Sequence, residues 1–293
     1  MYAQISYWAF RDGGSGRRSV VETMRLAREA GFDGLELAVS AEGELTPDAP
    51  AEECRRLARE AKRLGLRIGS VASGLLWSAN PASADPAVRR QALETTRRCL
   101  RVAAALGARH LLVLPGHVDV FFDPKAEVVP YDACYRRALA FCRKLGEAGA
   151  KVGVTACVEN VWNKFLLSPL EFRRFIREVG SPRVRVYFDV GNVWAYGYPQ
   201  HWIAVLGRLI QRVHVKDYRR AVGTVEGFCQ LLDGDVPLAE SLAMLARIGY
   251  KGPVTAEVFP GPGDADERAF LAATADRLRR ILPGGGNGKG RRS

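Results

Sequence analysis

The stretch VRVYFDVGNVWAYG, which spans residues 184–197 of this 293-residue chain, decides the fold. It opens with a β-branched and aromatic run typical of a buried strand, and the run stops at the carboxylate of Asp189. Gly191 and Asn192 follow, and the segment PQHWIAVLGRL beyond them has the apolar spacing of a helix. A strand therefore ends on a polar side chain and is followed closely by a helix.

The same order of strand and helix recurs along the whole chain. The predicted strands are AQISYW, FDGLELAV, LRIGSVAS, ARHLLVLPG, VGVTACVEN, VRVYFDVGN, IQRVHVKD and GPVTAEVF. An amphipathic segment such as VVETMRLAREAG follows each of them. Several helices are predicted to end at a glycine in the left-handed conformation, namely Gly31, Gly65, Gly107, Gly149 and Gly180.

Eight strand-helix units in a chain of this length predict an α/β fold of the (β/α)8 TIM barrel type, in a single domain. An open doubly wound sheet would carry a GxGxxG loop after an early strand, and this pattern is absent. Residues 1–282 are predicted to form the barrel domain. The remainder, PGGGNGKGRRS at 283–293, is predicted to be a disordered basic tail because it is too polar and glycine-rich to pack.

The formal net charge is +11, and three of the positive charges lie in the tail, which leaves 11 − 3 = +8 for the body. Arginine mixes with glutamate in the helical segments and no basic stripe is interleaved with aromatic residues, so solvated helix faces are favoured over a nucleic-acid surface. Anionic small molecules remain open as ligands.

The beginning of the chain, MYAQISYWAF, lacks the pattern of a secretory signal, and no apolar run approaches the ~18 residues needed to span a bilayer. We therefore expect a cytoplasmic protein that does not bind a membrane. The six cysteines are scattered without a CxxC pair, which predicts buried free thiols and not disulfides or a zinc cluster.

Polar residues stand at the carboxyl ends of four consecutive predicted strands, where the active site of a TIM barrel is built. They are Glu159, Asp189, His214 and Glu257. Taken singly, each has an ordinary explanation as a helix cap, an ion-pair partner or a core histidine. Together, three carboxylates at one rim would repel one another without a cation. The set therefore predicts one divalent metal ion, with Mn²⁺ favoured and Mg²⁺, Co²⁺ or Zn²⁺ also compatible.

The first and last of these strands are three apart in an eight-stranded ring, so Glu159 and Glu257 are expected to face each other across the barrel mouth. A metal that chelates a carbonyl and the neighbouring hydroxyl would acidify the carbon-bound proton and stabilise a cis-enediolate. One glutamate can then remove the proton and the other can return one, which is a two-base epimerisation; transfer between adjacent carbons would be an isomerisation.

The motifs GFDGLEL, CVEN, YFDVGN, RVHVKD and TAEVF resemble those of the xylose-isomerase-like TIM-barrel superfamily of sugar (phosphate) isomerases and epimerases. The resemblance extends from about Ile5 to Leu282. It implies that the four residues above bind one divalent metal, commonly Mn²⁺, and that the two glutamates are the catalytic acid-base pair. Asn192 departs from the histidine of many free-ketose 3-epimerases and is more similar to L-ribulose-5-phosphate 3-epimerase and hexulose-phosphate isomerase members, which favours a phosphorylated substrate.

Further residues are predicted to contact the substrate, which is expected to be a small sugar or sugar phosphate. Asn192 would donate to a hydroxyl, and Lys164, Lys216 and Arg219 would bind a phosphate, although loop solubility explains Arg219 equally well. His117 follows the fourth predicted strand and could reach the substrate. Glu36 ends the second predicted strand, where a contact with a substrate hydroxyl and a plain salt bridge are equally good explanations. Aromatic residues near strand ends are predicted either to stack on the sugar or to pack the barrel mouth: Tyr7, Trp8, Trp77, Trp162, Trp194 and Phe259.

Other functions stay open beside the epimerase or isomerase. An inosose-dehydratase-like lyase would use the same enediolate and expel water. An apurinic-site endonuclease on the same barrel is disfavoured because four histidines are few for a three-metal rim. A metal-free relative is disfavoured by the complete ligand set, and a homodimer or homotetramer is compatible with the resemblance.

Overall fold

All eight predicted strands are present and close into a parallel barrel in the computed structural model, which describes residues 1–261, 264 and 266–283. The barrel strands are β1 (Tyr2–Ser6), β2 (Gly34–Ala38), β3 (Arg67–Ala72), β4 (His110–Val113), β5 (Thr155–Glu159), β6 (Val184–Asp189), β7 (Ile210–Val215) and β10 (Pro253–Ala256). Their order around the barrel is β1-β10-β7-β6-β5-β4-β3-β2, and β2 pairs with β1 to close it. The predicted (β/α)8 TIM barrel is confirmed.

Helices connect the strands and cover the outside of the barrel. They are α1 (Val20–Glu29), α2 (Ala51–Arg63), α3 (Pro86–Ala105), α4 (Tyr131–Val152), α5 (Pro169–Val179), α6 (Val190–Trp194), α7 (Pro199–Leu206), α8 (Leu238–Arg247) and α9 (Glu267–Ile281). The side chains of Ser19, Asp85, Ser168 and Asp266 accept backbone N–H groups at helix starts, as expected of N-caps. Strands covered on both faces account for the continuous apolar runs in the sequence.

The predicted glycine caps are correct except at Gly149. Gly31, Gly65, Gly107 and Gly180 have positive φ angles, whereas α4 continues past Gly149 and ends at Gly153, whose φ is 75°. A Cβ on Gly149 would lie 2.3 Å from the carbonyl oxygen of Val154. This glycine is therefore required for close packing of α4 on the start of β5 and not for a cap.

Two small elements in the loops at the carboxyl ends of the strands were not predicted. The five-residue helix α6 begins directly at the end of β6, and its first turn is capped by Asp189, whose Oδ1 accepts the N–H of Asn192 at 2.7 Å. An antiparallel pair, β8 (Asp217–Tyr218) and β9 (Phe228–Cys229), folds over the barrel mouth after β7. Both elements shape the rim around the predicted site.

The cysteines of the chain are not bridged. All six cysteines are free, and all except Cys229 are buried, as predicted. In the described part of the chain, every helix is too short or too polar to cross a bilayer. Residues 284–293 lie outside the described residues, so the disordered tail stays a prediction.

Candidate metal centre and active site

The four predicted ligands converge at the carboxyl end of the barrel. Glu159 and Asp189 are the last residues of β5 and β6, His214 lies in β7, and Glu257 directly follows β10. One ligand atom from each lies within 4.8 Å of the others, and all four residues are buried. Asp189 and His214 are register partners of neighbouring strands. Parallel pairing thus brings together side chains that lie about one hundred positions apart in the chain.

The two ring nitrogens of His214 face different surroundings. Nδ1 lies 3.2 Å from Oε1 of Glu159, 3.6 Å from Oε2 of Glu257 and 3.9 Å from Oδ2 of Asp189. Nε2 lies on the other side of the ring, 2.7 Å from Oε1 of Glu36. When Nε2–H donates to Glu36, the lone pair of Nδ1 points at the three carboxylates, and Nδ1 is therefore the nitrogen that can bind a metal.

Glu36 supports His214 from behind and does not line the cavity. Its carboxylate is completely buried, accepts the hydroxyl of Ser70 at 2.6 Å and also accepts the hydroxyl of Tyr187. The strand pairing places Ser70 there, because β3 has one residue more than β2 between the pairs Leu35–Ile68 and Leu37–Val71. Glu36 is therefore not among the residues that line the cavity, whereas its pair with His214, whose pKa is raised, agrees with the alternative of a salt bridge. A carboxylate inside the apolar motif GLEL was the signal for this buried role.

Replacing Glu36 with Gln is expected to weaken Mn²⁺ binding by about 10-fold or more, because the charge that orients and polarises His214 is lost. Titration calorimetry of Mn²⁺ into the variant measures this. Tyr187→Phe is the matched control, since it removes one hydrogen bond to Glu36 but keeps the carboxylate on His214. An unchanged dissociation constant for Glu36→Gln would contradict the supporting role.

Lys216 lies inside the carboxylate cluster. Its Nζ is 3.2 Å from Oδ2 of Asp189, forms an ion pair with Glu257 and stands over the ring of Phe228. Gly191 permits this position, because a Cβ there would lie 2.5 Å from Cγ of Lys216 and 2.6 Å from its carbonyl oxygen. The ammonium predicted to bind a phosphate is thus already held by two carboxylates.

Burial and the charges in the cluster shift the pKa values of Glu159 and Glu257 in opposite directions. Burial, with the charge of Glu257 added, raises the pKa of Glu159 to about 7 even though His214 opposes the shift. Burial would also raise the pKa of Glu257, but Lys216 and His214 outweigh it and lower that pKa. Burial tends to lower the pKa of His214, whereas Glu36, Glu257 and Glu159 together raise it well above its usual value.

The donor set fits a divalent cation. Oδ2 of Asp189 is buried and faces the cluster, with the ammonium of Lys216 at 3.2 Å. Ligand atoms within 4.8 Å of one another are close to the span across a metal ion, which is about twice a 2.1–2.4 Å bond. Three carboxylates and one imidazole suit Mn²⁺ or Mg²⁺ best. The residues that would hold the ion are Glu159, Asp189, His214 and Glu257.

Metal binding is expected to release protons and to weaken in acid. Glu159, whose pKa is about 7, and His214, whose pKa is raised, must both lose a proton before they can act as ligands. We expect the dissociation constant for Mn²⁺ to rise by about 10-fold per pH unit for each displaced proton as the pH falls through 7. Calorimetry in buffers of different ionisation enthalpy counts the protons. Equal affinity at about pH 6 and pH 8 would contradict this expectation.

A cavity of about 870 Å³ opens above the cluster. Glu159, Asn192, Lys216 and Glu257 line it near the strand ends. Its wall includes the aromatic residues Trp8, Trp77, Phe121, Phe122, Trp162, Phe228 and Phe259. Of the aromatic residues proposed from the sequence, Tyr7 and Trp194 do not line it; Tyr7 is buried in the core. Phe121, Phe122 and Phe228 were missed, because their loop positions have no strand-end signal.

Among the predicted substrate contacts, Asn192 and Trp162 line the cavity. The amide nitrogen of Asn192 donates to the carbonyl of Asn160 at 3.0 Å, and the indole of Trp162 donates to the carbonyl of Asn192 at 2.9 Å. Asn160 also bonds the backbone of Asp189 through both side-chain atoms. It is a positioning residue that the CVEN motif contained and that was not singled out.

Three other residues predicted to contact the substrate, His117, Lys164 and Arg219, do not line the cavity. His117 is buried behind Trp77 because Asn80 holds its backbone with hydrogen bonds of 2.9 and 3.2 Å. Lys164 points outward to Asp119, and Arg219 is exposed, with Nε donating to a backbone carbonyl. Neither lines the cavity. These three side chains lie in loops, and their directions depend on the conformation of those loops, which the periodicity of the strands does not predict.

The fold is a TIM barrel with a four-residue cluster that could hold a metal ion, and comparison with known proteins identifies its family. The chain belongs to the xylose isomerase-like TIM barrel family, whose model matches residues 24–278. The predicted family is thereby confirmed.

Among curated proteins, the chain is 25% identical over 263 residues to the L-ribulose-5-phosphate 3-epimerase UlaE of Escherichia coli (strain SE11), covering 88% of each chain. It is 27% identical over 248 residues to the putative L-ribulose-5-phosphate 3-epimerase SgbU of Escherichia coli (strain K12), covering 81% of this chain and 83% of the relative. Both relatives are named as epimerases, and the prediction of an isomerase-class enzyme is confirmed at that level.

Solved structures show the same fold. A D-psicose 3-epimerase in the presence of D-fructose superposes with a TM-score of 0.80 at 21% identity, covering 97% of this chain and all of the other. The D-psicose 3-epimerase with D-tagatose from Clostridium cellulolyticum H10 gives 0.81 at 20% identity, covering 96% and 99%.

Proposed function

We propose that this protein is a divalent-metal-dependent epimerase or isomerase of a ketose or sugar phosphate, which moves a proton through a cis-enediolate with two glutamates. One observation carries the proposal: Glu159 and Glu257 both line the cavity, on strands separated by β6 and β7 in the barrel, with His214 and Asp189 between them. A sugar held between two carboxylates can exchange a carbon-bound proton on either face.

The metal ion, with Mn²⁺ preferred, would supply charge that stabilises the oxygens of the enediolate. The chain's own residues divide the proton transfer. Lys216 lowers the pKa of Glu257, so Glu257 is the ionised carboxylate that accepts the carbon-bound proton. Glu159, on the opposite side of the cavity, is the carboxylate that would return a proton to the other face of the carbon.

The surrounding contacts orient these two groups. Asn160 holds the end of β6 beside the end of β5 through its two bonds to Asp189. Glu36 fixes the ring of His214, which in turn contacts Glu159. Glu257 is held by its ion pair with Lys216. Glu159 and Glu257 are therefore both held by neighbouring side chains before a sugar enters, which lowers the free-energy cost of placing them beside the reacting carbon.

The proposal is tested by incubating the Mn²⁺-loaded protein in D₂O with a panel that contains L-ribulose 5-phosphate, D-psicose and D-fructose. Deuterium is expected at the carbon next to the carbonyl, together with the epimer or isomer. A product lighter by one water would instead identify the lyase. Absence of exchange with every ketose, ketose phosphate and keto-glycoside tried would refute the proposed function.

A further inference from the structure

The wall of the cavity is a continuous series of aromatic rings. The ring centroids of Trp77 and Phe122 lie 5.3 Å apart, those of Phe122 and Phe121 4.9 Å, and those of Phe121 and Trp162 6.4 Å. Trp162 then contacts Phe228 at 5.2 Å. Phe228 is the ring beneath Lys216. The rings therefore lead from the carboxylate cluster to the open end of the cavity.

Core packing does not account for the outer rings. Phe121 is 46% exposed and Phe122 is 57% exposed, although both line the cavity. Large apolar side chains that remain exposed beside a cavity mark a binding surface for an apolar partner. Their free faces are available to a ligand that extends beyond the cluster.

The charges of the cavity disfavour a phosphate. Among its described lining residues, Lys216 is the only cation, and it is bound by Asp189 and Glu257. Carboxylates of Asp123, Glu159 and Glu257 line the same space. A divalent metal would bring these charges close to balance and would leave no excess positive charge for a phosphate dianion. Phosphate sites normally supply arginine, lysine or a helix N-terminus.

The size of the cavity agrees with a second ring on the substrate. About 870 Å³ lies near the upper end of the ~300–1,000 Å³ typical of pockets for drug-sized ligands. Trp162 and Phe228 separate the outer ring Phe121 and its neighbour Phe122 from the end of the cavity at Lys216, so these rings are available to a group attached to a five- or six-carbon sugar at the glutamates. An apolar ring attached to that sugar would reach them.

We propose that the substrate is a neutral keto sugar that carries an apolar ring, a glycoside with an aromatic aglycone, and not a sugar phosphate. This inference rests on the proposed function, because that function places the reacting sugar between Glu159 and Glu257. The aglycone lies against Trp77, Phe121 and Phe122.

Binding to the Mn²⁺-loaded protein tests the proposal with three probes: the methyl and phenyl β-glycosides of 3-keto-D-glucose, and L-ribulose 5-phosphate. The phenyl glycoside is expected to bind about 10-fold more tightly than the methyl glycoside, through ring stacking. It is also expected to bind more tightly than the phosphate. Equal affinity for the two glycosides, or tightest binding of the phosphate, would overturn the inference.

The double variant Phe121→Ala, Phe122→Ala should remove most of the preference for the phenyl glycoside and leave the affinity for the methyl glycoside unchanged. Val128→Ala is the matched control, because Val128 lies on the same loop, is 69% exposed and does not line the cavity. A preference that survives in the double variant would contradict the assigned rings.

Deuterium exchange with the same probes separates this inference from the proposed function. Exchange into the phosphate but not into the glycosides overturns the inference while the epimerase or isomerase stands. Tight, ring-dependent binding of the phenyl glycoside without exchange into any sugar supports the assigned pocket and refutes the proposed function.

Discussion

Replacing Glu257 with Gln is expected to slow deuterium exchange at the substrate carbon by about 100- to 10,000-fold at saturating Mn²⁺. The amide oxygen can still coordinate a metal, but the side chain can no longer accept a proton. Its ion pair with Lys216 is also lost, so the measurement must include metal content. Mass spectrometry of the sugar after timed incubation in D₂O gives the rate.

Glu94→Gln is the matched control for this experiment. It makes the same change on an exposed ion pair with Arg97 in α3, far from the barrel mouth, and should leave exchange unchanged. If Glu257→Gln retained metal and exchanged at the wild-type rate, Glu257 would not be the base. Glu159→Gln should then be compared, since that variant removes the group with the raised pKa.

Replacing Asp189 with Ala is expected to weaken Mn²⁺ binding by at least about 100-fold while the barrel remains folded. The variant loses a carboxylate that contributes one of four ligand atoms, and the buried ammonium of Lys216 keeps Glu257 as its partner. Metal content after dialysis and calorimetry measure the loss. Circular dichroism verifies the fold.

Asp189→Asn separates the two roles of this residue. Oδ1 caps α6 by accepting the N–H of Asn192, and an asparagine preserves that bond, whereas alanine loses it at a cost of about 1 kcal/mol. We expect both variants to bind metal more weakly than the wild type, with Asp189→Asn less affected because its amide oxygen can still coordinate, and we expect Asp189→Asn to be the more stable to heat. Full metal occupancy in both variants would remove Asp189 from the ligand set.

Much of the fold and the centre of the site could be predicted from the sequence. Each barrel strand is covered on both faces, so its apolar run is continuous and its end is visible as the first polar residue. Glu159 and Asp189 stand at such ends. Because parallel strands deliver their carboxyl ends to one rim, the order of the strands sufficed to bring them together with His214 and Glu257.

The substrate side could not be predicted in the same way. Lys164 and Arg219 are basic residues that follow site strands, yet their loops turn them outward. Phe121 and Phe122 line the cavity from a loop whose sequence has no periodicity to read. Glu36 was predicted at the end of its strand, whereas in the structure it lies within β2 and contacts Nε2 of His214.

The sequence by itself determined the barrel and the four residues of the proposed metal centre, because strand periodicity and parallel order are local properties that repeat along the chain. Only the tertiary structure decided which nitrogen of His214 faces the carboxylates, where Lys216 lies and which rings form the cavity wall. Those features depend on contacts between distant loops and on the charges that surround each group, and no local pattern encodes them.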